Sequence, residues 1–298
     1  MQTKIIVNPV AGKGNSIEAL PAVKHCLKSN GIQYEIIRTG FPGHATELAG
    51  ELEDPQTRLV AMGGDGTVRE VLNGISSPET PVGIIPSGMG NDLARSLGIP
   101  TKVSRATRLL AHPEFKRVDL GAERGKFFNV MGVGFAAKVV ERINRYKRGP
   151  VKGGPLIYLI GLLRSIVDLE DYEFNLELDG EKRDLKANAL FVTNSNYTAG
   201  GLKLVPQAKL DDGLLDVAII SNAGRMELLL ALKRAYRGEH TDHPKIQFFR
   251  AKKVNIESTA KLVKMYDGEL EGTTPARLEI APSARTIMVP GNDDGKET

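Results

Sequence analysis

The sequence predicts an α/β plus β fold: an N-terminal doubly wound α/β domain followed by a C-terminal β-sandwich. Three observations carry this. Short apolar strands alternate with helical segments through the first third of the chain. Each of those strands ends in a loop containing glycine or proline, and all four loops fall at the carboxyl edge of a parallel sheet, where such folds bind their ligands. The second half holds many short strands separated by turn residues, the pattern of a sandwich.

Taken in order, Lys4-Ile5-Ile6-Val7 predicts a buried strand, Asn8 to Gly14 a loop and Ser16 to Ser29 a helix that stops at Gly31. Gln33 to Arg38 is a second strand, Thr39 to His44 a loop and Ala45 to Glu53 a helix. Leu59-Val60-Ala61-Met62 runs into Gly63-Gly64-Asp65-Gly66-Thr67 and a helix, and Val82 to Ile85 leads through Pro86-Ser87-Gly88-Met89-Gly90-Asn91-Asp92 into a short helix from Leu93 to Leu97. Lys116 to Leu120 and Phe127 to Met131 read as strands about a turn from Gly121 to Gly125, which marks the boundary. Asp179-Gly180 between Phe174–Leu178 and Lys182–Leu185 signals a hairpin. Further strands are expected at Ala189–Thr193, Leu214–Ile220, Lys252–Glu257, Leu262–Tyr266, Arg277–Ile280 and Thr286–Val289. The domains are therefore 1–122 and 123–284, with a strand near 285–290 returning to the first and 291–298 as a polar tail.

Composition excludes several classes. With 41% apolar and 26% charged residues the chain is an ordinary globular one, and a single cysteine, Cys26, allows no intrachain disulfide and fits a cytoplasmic home. No apolar run approaches a membrane span, and no targeting segment is expected. A net charge of +4 without any Trp argues against nucleic acid.

The Gly63–Thr67 turn carries the chemistry. Three glycines in four positions remove the Cβ atoms that would hold a phosphate off the main-chain N–H groups, and the following helix adds its positive end. Thr67 at the N-cap with Glu70 three residues on predicts a capping box. Asp65 among those amides would repel a phosphate unless a cation stood between them, which points to Mg²⁺. The Asn8–Gly14 loop lacks the Ser/Thr of a P-loop, and no dinucleotide fingerprint follows the first strand.

Asn8-Pro9-x-Ala11-Gly12, the Gly63–Thr67 turn, Pro86-x-Gly88-x-x-Asn91-Asp92, Asn194-x-x-Tyr197 before Gly200-Gly201, Asp212-Gly213-x-Leu215-Asp216-Val217 and Asp267-Gly268-Glu269 follow in one register. Together they resemble the diacylglycerol kinase catalytic domain family, which includes soluble bacterial lipid kinases and the sphingosine and ceramide kinases. The resemblance implies a nucleotide-binding first domain, a lipid-binding second domain and a cleft between them. It implies ATP contacts from Asn8, Pro9, Val10, Ala11, Gly12, Thr39, Gly63, Gly64, Asp65, Gly66, Thr67, Val68, Arg69, Gly88, Met89 and Asn91. Asp65, Asp92 and Asp119 would form the Mg²⁺ network, although Asp92 and Asp119 also read as an N-cap and a strand-end carboxylate. Asp267-Gly268-Glu269 reads by itself as a hairpin turn; the resemblance makes Glu269 the general base, with Asp267 its competitor. A structural cation is implied on the carbonyls of Lys209 and Leu214 and the Asp212 side chain, where a solvated turn is the other reading.

Met89 stands where the family commonly has Thr or Ser, and Ala136 where an Asp is frequent. Arg142, Arg145, Lys147, Arg148 and Lys152 precede the apolar Pro155–Leu163, and this pairing fits docking on anionic headgroups as well as it fits a basic loop before a core helix. Arg225 to Arg237 is a comparable segment whose leucines read as core. The partners expected are a lipid substrate at an anionic surface, the inner membrane face, and no nucleic acid; a homodimer is admitted. Two other functions compete: a kinase of a soluble substrate, as in NAD kinases, and a non-catalytic nucleotide or lipid sensor.

Overall fold

The computed structural model describes the main chain of residues 1–148 and 154–291, and side chains outside 147–159. The first domain runs β1 (Gln2–Val7), a 3-10 turn (Ala11–Gly14), α1 (Asn15–Ser29), β2 (Tyr34–Arg38), α2 (His44–Leu52), β3 (Thr57–Gly63), α3 (Asp65–Gly74), β4 (Pro81–Pro86), α4 (Asp92–Ser96), α5 (Val103–Leu109) and β5 (Glu114–Glu123). Then follow β6 (Lys126–Phe128), β7 (Val130–Gly134), α6 (Phe135–Arg148), α7 (Gly154–Val167), β8 (Tyr172–Leu178), β9 (Glu181–Ala187), β10 (Ala189–Thr193), β11 (Tyr197–Thr198), β12 (Leu202–Lys203), β13 (Leu215–Ile220) and α8 (Arg225–Ala235). The chain closes with β14 (Ile246–Ala251), β15 (Lys253–Ser258), β16 (Val263–Tyr266), β17 (Glu269–Thr273) and β18 (Ala276–Val289).

β2, β1, β3 and β4 form a parallel sheet whose residues alternate between two cores. Ile5, Val7, Val60 and Met62 face α1 and α5, whereas Ile6, Leu59, Ala61 and Ile84 face α2 and α3. A strand covered on both sides by helices has no solvated face, which explains its unbroken apolar run. The sheet does not end at β4. β18 pairs with β4 in parallel and with β5 and β15 antiparallel, so β8 and β9 extend the same sheet into the second half of the chain.

A second sheet, β14-β13-β10-β7-β16-β17, stacks on that extension. Its inward side chains Met131, Val133, Leu190, Val192 and Val217 meet Phe174, Leu176, Leu178, Val254 and Ile256. Its outer face is not open: Ala189, Phe191 and Met265 pack beneath Phe135, Ile166 and Leu228 from α6, α7 and α8.

Three expectations change. Arg277–Ile280 and Thr286–Val289 are one strand, β18, with a register shift between Ala281 and Arg285 where it passes from one domain to the other. The Gly121–Gly125 turn is a two-residue hairpin at Arg124-Gly125, both at positive φ; Gly121 lies within β5, where a Cβ would stand 2.5 Å from the Phe128 ring. The strand expected from Phe127 to Met131 divides at Asn129, because β6 pairs in the first sheet and β7 in the second. Asp179-Gly180 does turn a hairpin, with φ of 49° and 94°. α5 had no forecast.

Candidate active site

The loops after β1, β3 and β4 are packed main chain against main chain. A Cβ on Gly12 would lie 2.1 Å from the Ser87 carbonyl oxygen, and one on Gly88 would lie 2.4 Å from Gly64 Cα. Ser87 N–H donates to the Gly63 carbonyl at 2.8 Å. Asn8 ties the first loop to the third element: its Nδ2 donates to Thr67 Oγ1 at 3.0 Å, and its Oδ1 accepts from Val10 N–H, folding Pro9 and Val10 over it. Ala11 N–H closes on the Asn8 carbonyl, and Thr39 N–H donates to the Val7 carbonyl, which brings the loop after β2 to the same edge. Val68 is buried in the core rather than facing this edge, and Met89 is half exposed.

The capping box does not form. Gly64 is the N-cap of α3, Thr67 receives the Asn8 amide, and Glu70 turns to α2, accepting from Gly43 N–H at 3.0 Å and Ala45 N–H at 3.1 Å. Gly43 has no side chain with which to satisfy those donors, so a carboxylate from α3 does it.

Asp65 performs the same service for α4. Its Oδ2 accepts from Asn91 N–H at 2.7 Å and its Oδ1 from Asp92 N–H at 2.6 Å. Asn91, at φ 55°, closes the loop by exchanging hydrogen bonds with Gly88. Burial pushes the Asp65 carboxyl above its usual range against these N–H donors. Asp92 is pushed up to about 7 by burial and then by the charge of Asp65, while its Oδ1 accepts from Gly200 N–H at 2.9 Å. Asp267 is pushed up to about 6 by burial, opposed by Arg69, with Asp65 adding to the rise. Each of these three carboxylates therefore feels at least one of the others.

The turn at Asp267-Gly268, with φ of 48° and 87°, joins β16 to β17 and sets Glu269 beside the glycine loop. A Cβ on Gly66 would stand 3.1 Å from Glu269 Oε1. The two acidic turns thus meet across one cleft, and a small cavity there is lined by Asp65, Arg69, Asn73, Asn129 and Asp267. Asp267 and Glu269 differ in freedom. Asp267 accepts from Asn129 N–H and Val130 N–H, whereas Glu269 is an exposed residue whose partly buried carboxyl is raised by that burial against the opposing charge of Arg69.

Arg69, expected on the nucleotide, is committed elsewhere. Its Nη1 pairs with Glu271 at 2.6 Å, its Nε lies 3.6 Å from Asp267 and donates to the Phe127 carbonyl at 3.3 Å, and its guanidinium faces the Tyr266 ring. It clamps α3 to the acidic hairpin.

Asp119, expected in the magnesium network, has both oxygens in main-chain hydrogen bonds, from Gly213 N–H and Ser283 N–H at 2.7 Å each. It pins the loop before β13 to the bend of β18. In that loop Asp212 pairs with Arg250 and accepts from Leu214 N–H at 3.3 Å. A guanidinium thus stands on the carboxylate that was expected, with the carbonyls of Lys209 and Leu214, to hold a structural cation.

Comparison with known proteins covers both halves of the chain. The diacylglycerol kinase catalytic domain matches residues 2–122, and the YegS C-terminal NAD kinase beta sandwich-like domain matches residues 129–289. A diacylglycerol kinase of Staphylococcus saprophyticus is 34% identical over 277 residues, covering 92% of this chain and 90% of the relative; that of Staphylococcus carnosus is 33% identical over 279 residues with the same coverage. The crystal structure of a diacylglycerol kinase from Bacillus anthracis superposes with a TM-score of 0.78 at 27% identity, covering 97% of each chain. The chain belongs to the diacylglycerol kinase family. It is a kinase.

In this kinase the donor set fits a hard divalent cation. Asp65 keeps lone pairs beyond its two N–H partners, Asp92 and Asp267 are raised by burial and like charge, and the Asn129 Oδ1 beside them is buried without a partner. Among the described residues no three His, Cys, Asp or Glu side chains converge to hold a metal unaided, so phosphate oxygens and water would complete its shell. Of the basic run, Arg142 pairs with Asp168 and Arg145 with Glu141 on α6, while Lys147, Arg148 and Lys152 lie outside the described side chains. Among the described residues no helix is long and apolar enough to cross a membrane.

Sequence reasoning missed the Arg69 clamp and a second buried group beside it, in which Lys264 Nζ donates to Glu123 at 2.8 Å and Tyr266 donates to the same carboxylate. These partners are remote in the chain and share no local pattern. A Lys at an inward-facing strand position was the one available signal.

Proposed function

We propose that this kinase transfers the γ-phosphoryl group of ATP to the hydroxyl of diacylglycerol or a related lipid alcohol, giving phosphatidic acid or a lipid phosphate. The observation that carries the reading is the position of Glu269 over Gly66: a partly buried carboxylate of raised basicity stands against the turn whose N–H groups would receive phosphate. In this reading Asn8 to Gly12, Thr39, Gly63 to Thr67, Gly88, Met89 and Asn91 shape the ATP site. Asp65 and Asp92 would hold Mg²⁺, with Asp119 bracing from the domain junction. Mg²⁺ would neutralise charge on the β- and γ-phosphates as the transferring group loosens.

Glu269 takes the proton from the lipid hydroxyl. Asp267, held by two main-chain donors and facing Arg69, fixes the hairpin and shapes the field at the cleft. The chain divides functionally into 1–122 with the 285–290 strand, and 123–284. A diacyl lipid stays in its bilayer, so the enzyme works at an anionic inner membrane face from the cytoplasm.

The match of the second domain to an NAD kinase-like sandwich favours one other acceptor, NAD. Radiolabelled ATP offered with diacylglycerol, sphingosine and ceramide in mixed micelles, and with NAD in solution, decides between them. Label in a lipid phosphate supports the proposal; label in NADP alone, or in no acceptor, defeats it.

A further inference from the structure

Eleven large apolar side chains are exposed among the described residues, and five of them, Leu163, Val167, Met226, Leu230 and Tyr236, lie on or just beyond the neighbouring helices α7 and α8. Met226, Leu230, Lys233 and Arg237 are spaced by 4, 3 and 4 residues, so they form one outward stripe, opposite the buried Leu228, Ala231 and Ala235. Leu163 and Val167 share the outer side of α7 at a spacing of four. The stripe is apolar at its start and cationic at its end. The segment Arg225–Arg237 holds four cations against one acid, Glu227, and among the described residues only Arg234 of these cations is ion-paired, to Asp242. Lys233, Arg234, Arg237 and His243 also line an open groove of ≈ 460 Å³ beside Leu230, where they outnumber its two acids, Glu227 and Glu239.

We infer that the α7–α8 face is the surface by which the enzyme docks on an anionic bilayer, with Met226, Leu230, Leu163 and Val167 entering the interface and Lys233 and Arg237 meeting lipid phosphates. Apolar side chains beside unpaired cations are what such a surface presents. Its place in the fold suits the purpose: α7 and α8 cover the outer face of the second sheet, the same sheet whose last hairpin, β16–β17, carries Glu269. The inference rests on the lipid reading above and moves the docking surface from the 142–152 run to α8.

The test uses the full chain without nucleotide, sedimented with vesicles of phosphatidylcholine alone or with 30% phosphatidylglycerol. Wild type is expected to bind the anionic vesicles more tightly. Met226→Asp/Leu230→Asp should weaken that binding about tenfold or more, and Lys233→Glu/Arg237→Glu about tenfold at 0.1 M salt. Phosphorylation of a water-soluble short-chain diacylglycerol should stay within twofold of wild type in both. Unchanged vesicle binding in both variants overturns the inference, as does an equal loss on the soluble substrate. It is also overturned if light scattering shows that the substitutions split a dimer. If vesicle binding behaves as stated but no lipid is phosphorylated, the proposed reaction fails and the docking face stands.

Discussion

Replacing Arg69 with methionine tests the clamp between the two acidic turns. Arg69 is 13% exposed; of its partners, Glu271 is 39% exposed and Asp267 6%. The half-exposed pair contributes on the order of 0.5–1 kcal/mol. Removing the cation beside buried Asp267 costs more, though less than the several kcal/mol of a fully broken buried pair, because Asn129 and Val130 N–H groups still hold the carboxylate; about 2 kcal/mol is expected. The sum, about 2–3 kcal/mol at pH 8, corresponds to a Tm lower by about 4–8 °C. The effect depends on pH. Asp267 is raised to about 6 in the fold, above its unfolded value, so the folded state keeps this proton at pH 5 and loses it by pH 8. Arg69 stabilises only the ionised form, so the deficit of the variant shrinks toward about 1 kcal/mol at pH 5 and grows as pH rises through 6. Calorimetry at pH 5 and pH 8 reads both values; a loss of Tm that is the same at the two pH values refutes the assignment of Asp267 as the principal partner.

The same Arg69→Met protein should show the acid limb of its kcat/KM profile moved to higher pH, because Arg69 holds the Glu269 carboxyl down; an unmoved limb in a pH titration of initial rates contradicts this. Asp65→Asn should lower kcat at least about a hundredfold while changing stability by no more than about 1 kcal/mol, since one oxygen still accepts at the α4 cap; urea unfolding and steady-state rates separate the two effects. Gly88→Ala places a methyl 2.4 Å from Gly64 Cα, which must spread the two loops, at a cost of about 1–3 kcal/mol and at least about tenfold in ATP affinity by calorimetric titration.

Much of the fold was legible because its signals are local. The apolar runs at Ile5–Val7 and Leu59–Met62, the glycine loops behind them, and the Asp-Gly dipeptides at 179 and 267 each state their own geometry within a few residues. What the sequence concealed depends on partners far apart. Glu70 lies three residues from Thr67, as a capping box requires, yet its carboxylate serves Gly43 and Ala45, 27 and 25 residues away. Asp65 looked like a bare magnesium ligand, and in the fold its carboxylate accepts the N–H groups at the start of α4. Arg69 lies two residues past the glycine motif, in α3, and reaches Glu271, 202 residues on. β18 read as two strands because the bulge between Ala281 and Arg285 interrupts its pattern at the crossing between domains. For the candidate site, motif order brought Asp65 and Glu269 together; only the fold separates Asp267, tied to main-chain donors and Arg69, from the more exposed Glu269.

The central claim is that Glu269 removes the proton from an acceptor hydroxyl held against the glycine turn. Its most direct measurement is the steady-state rate of Glu269→Gln on long-chain diacylglycerol in anionic micelles, alongside ATP affinity. The expected result is a fall in kcat of about a thousandfold with ATP affinity within threefold of wild type; a kcat within tenfold of wild type would contradict it.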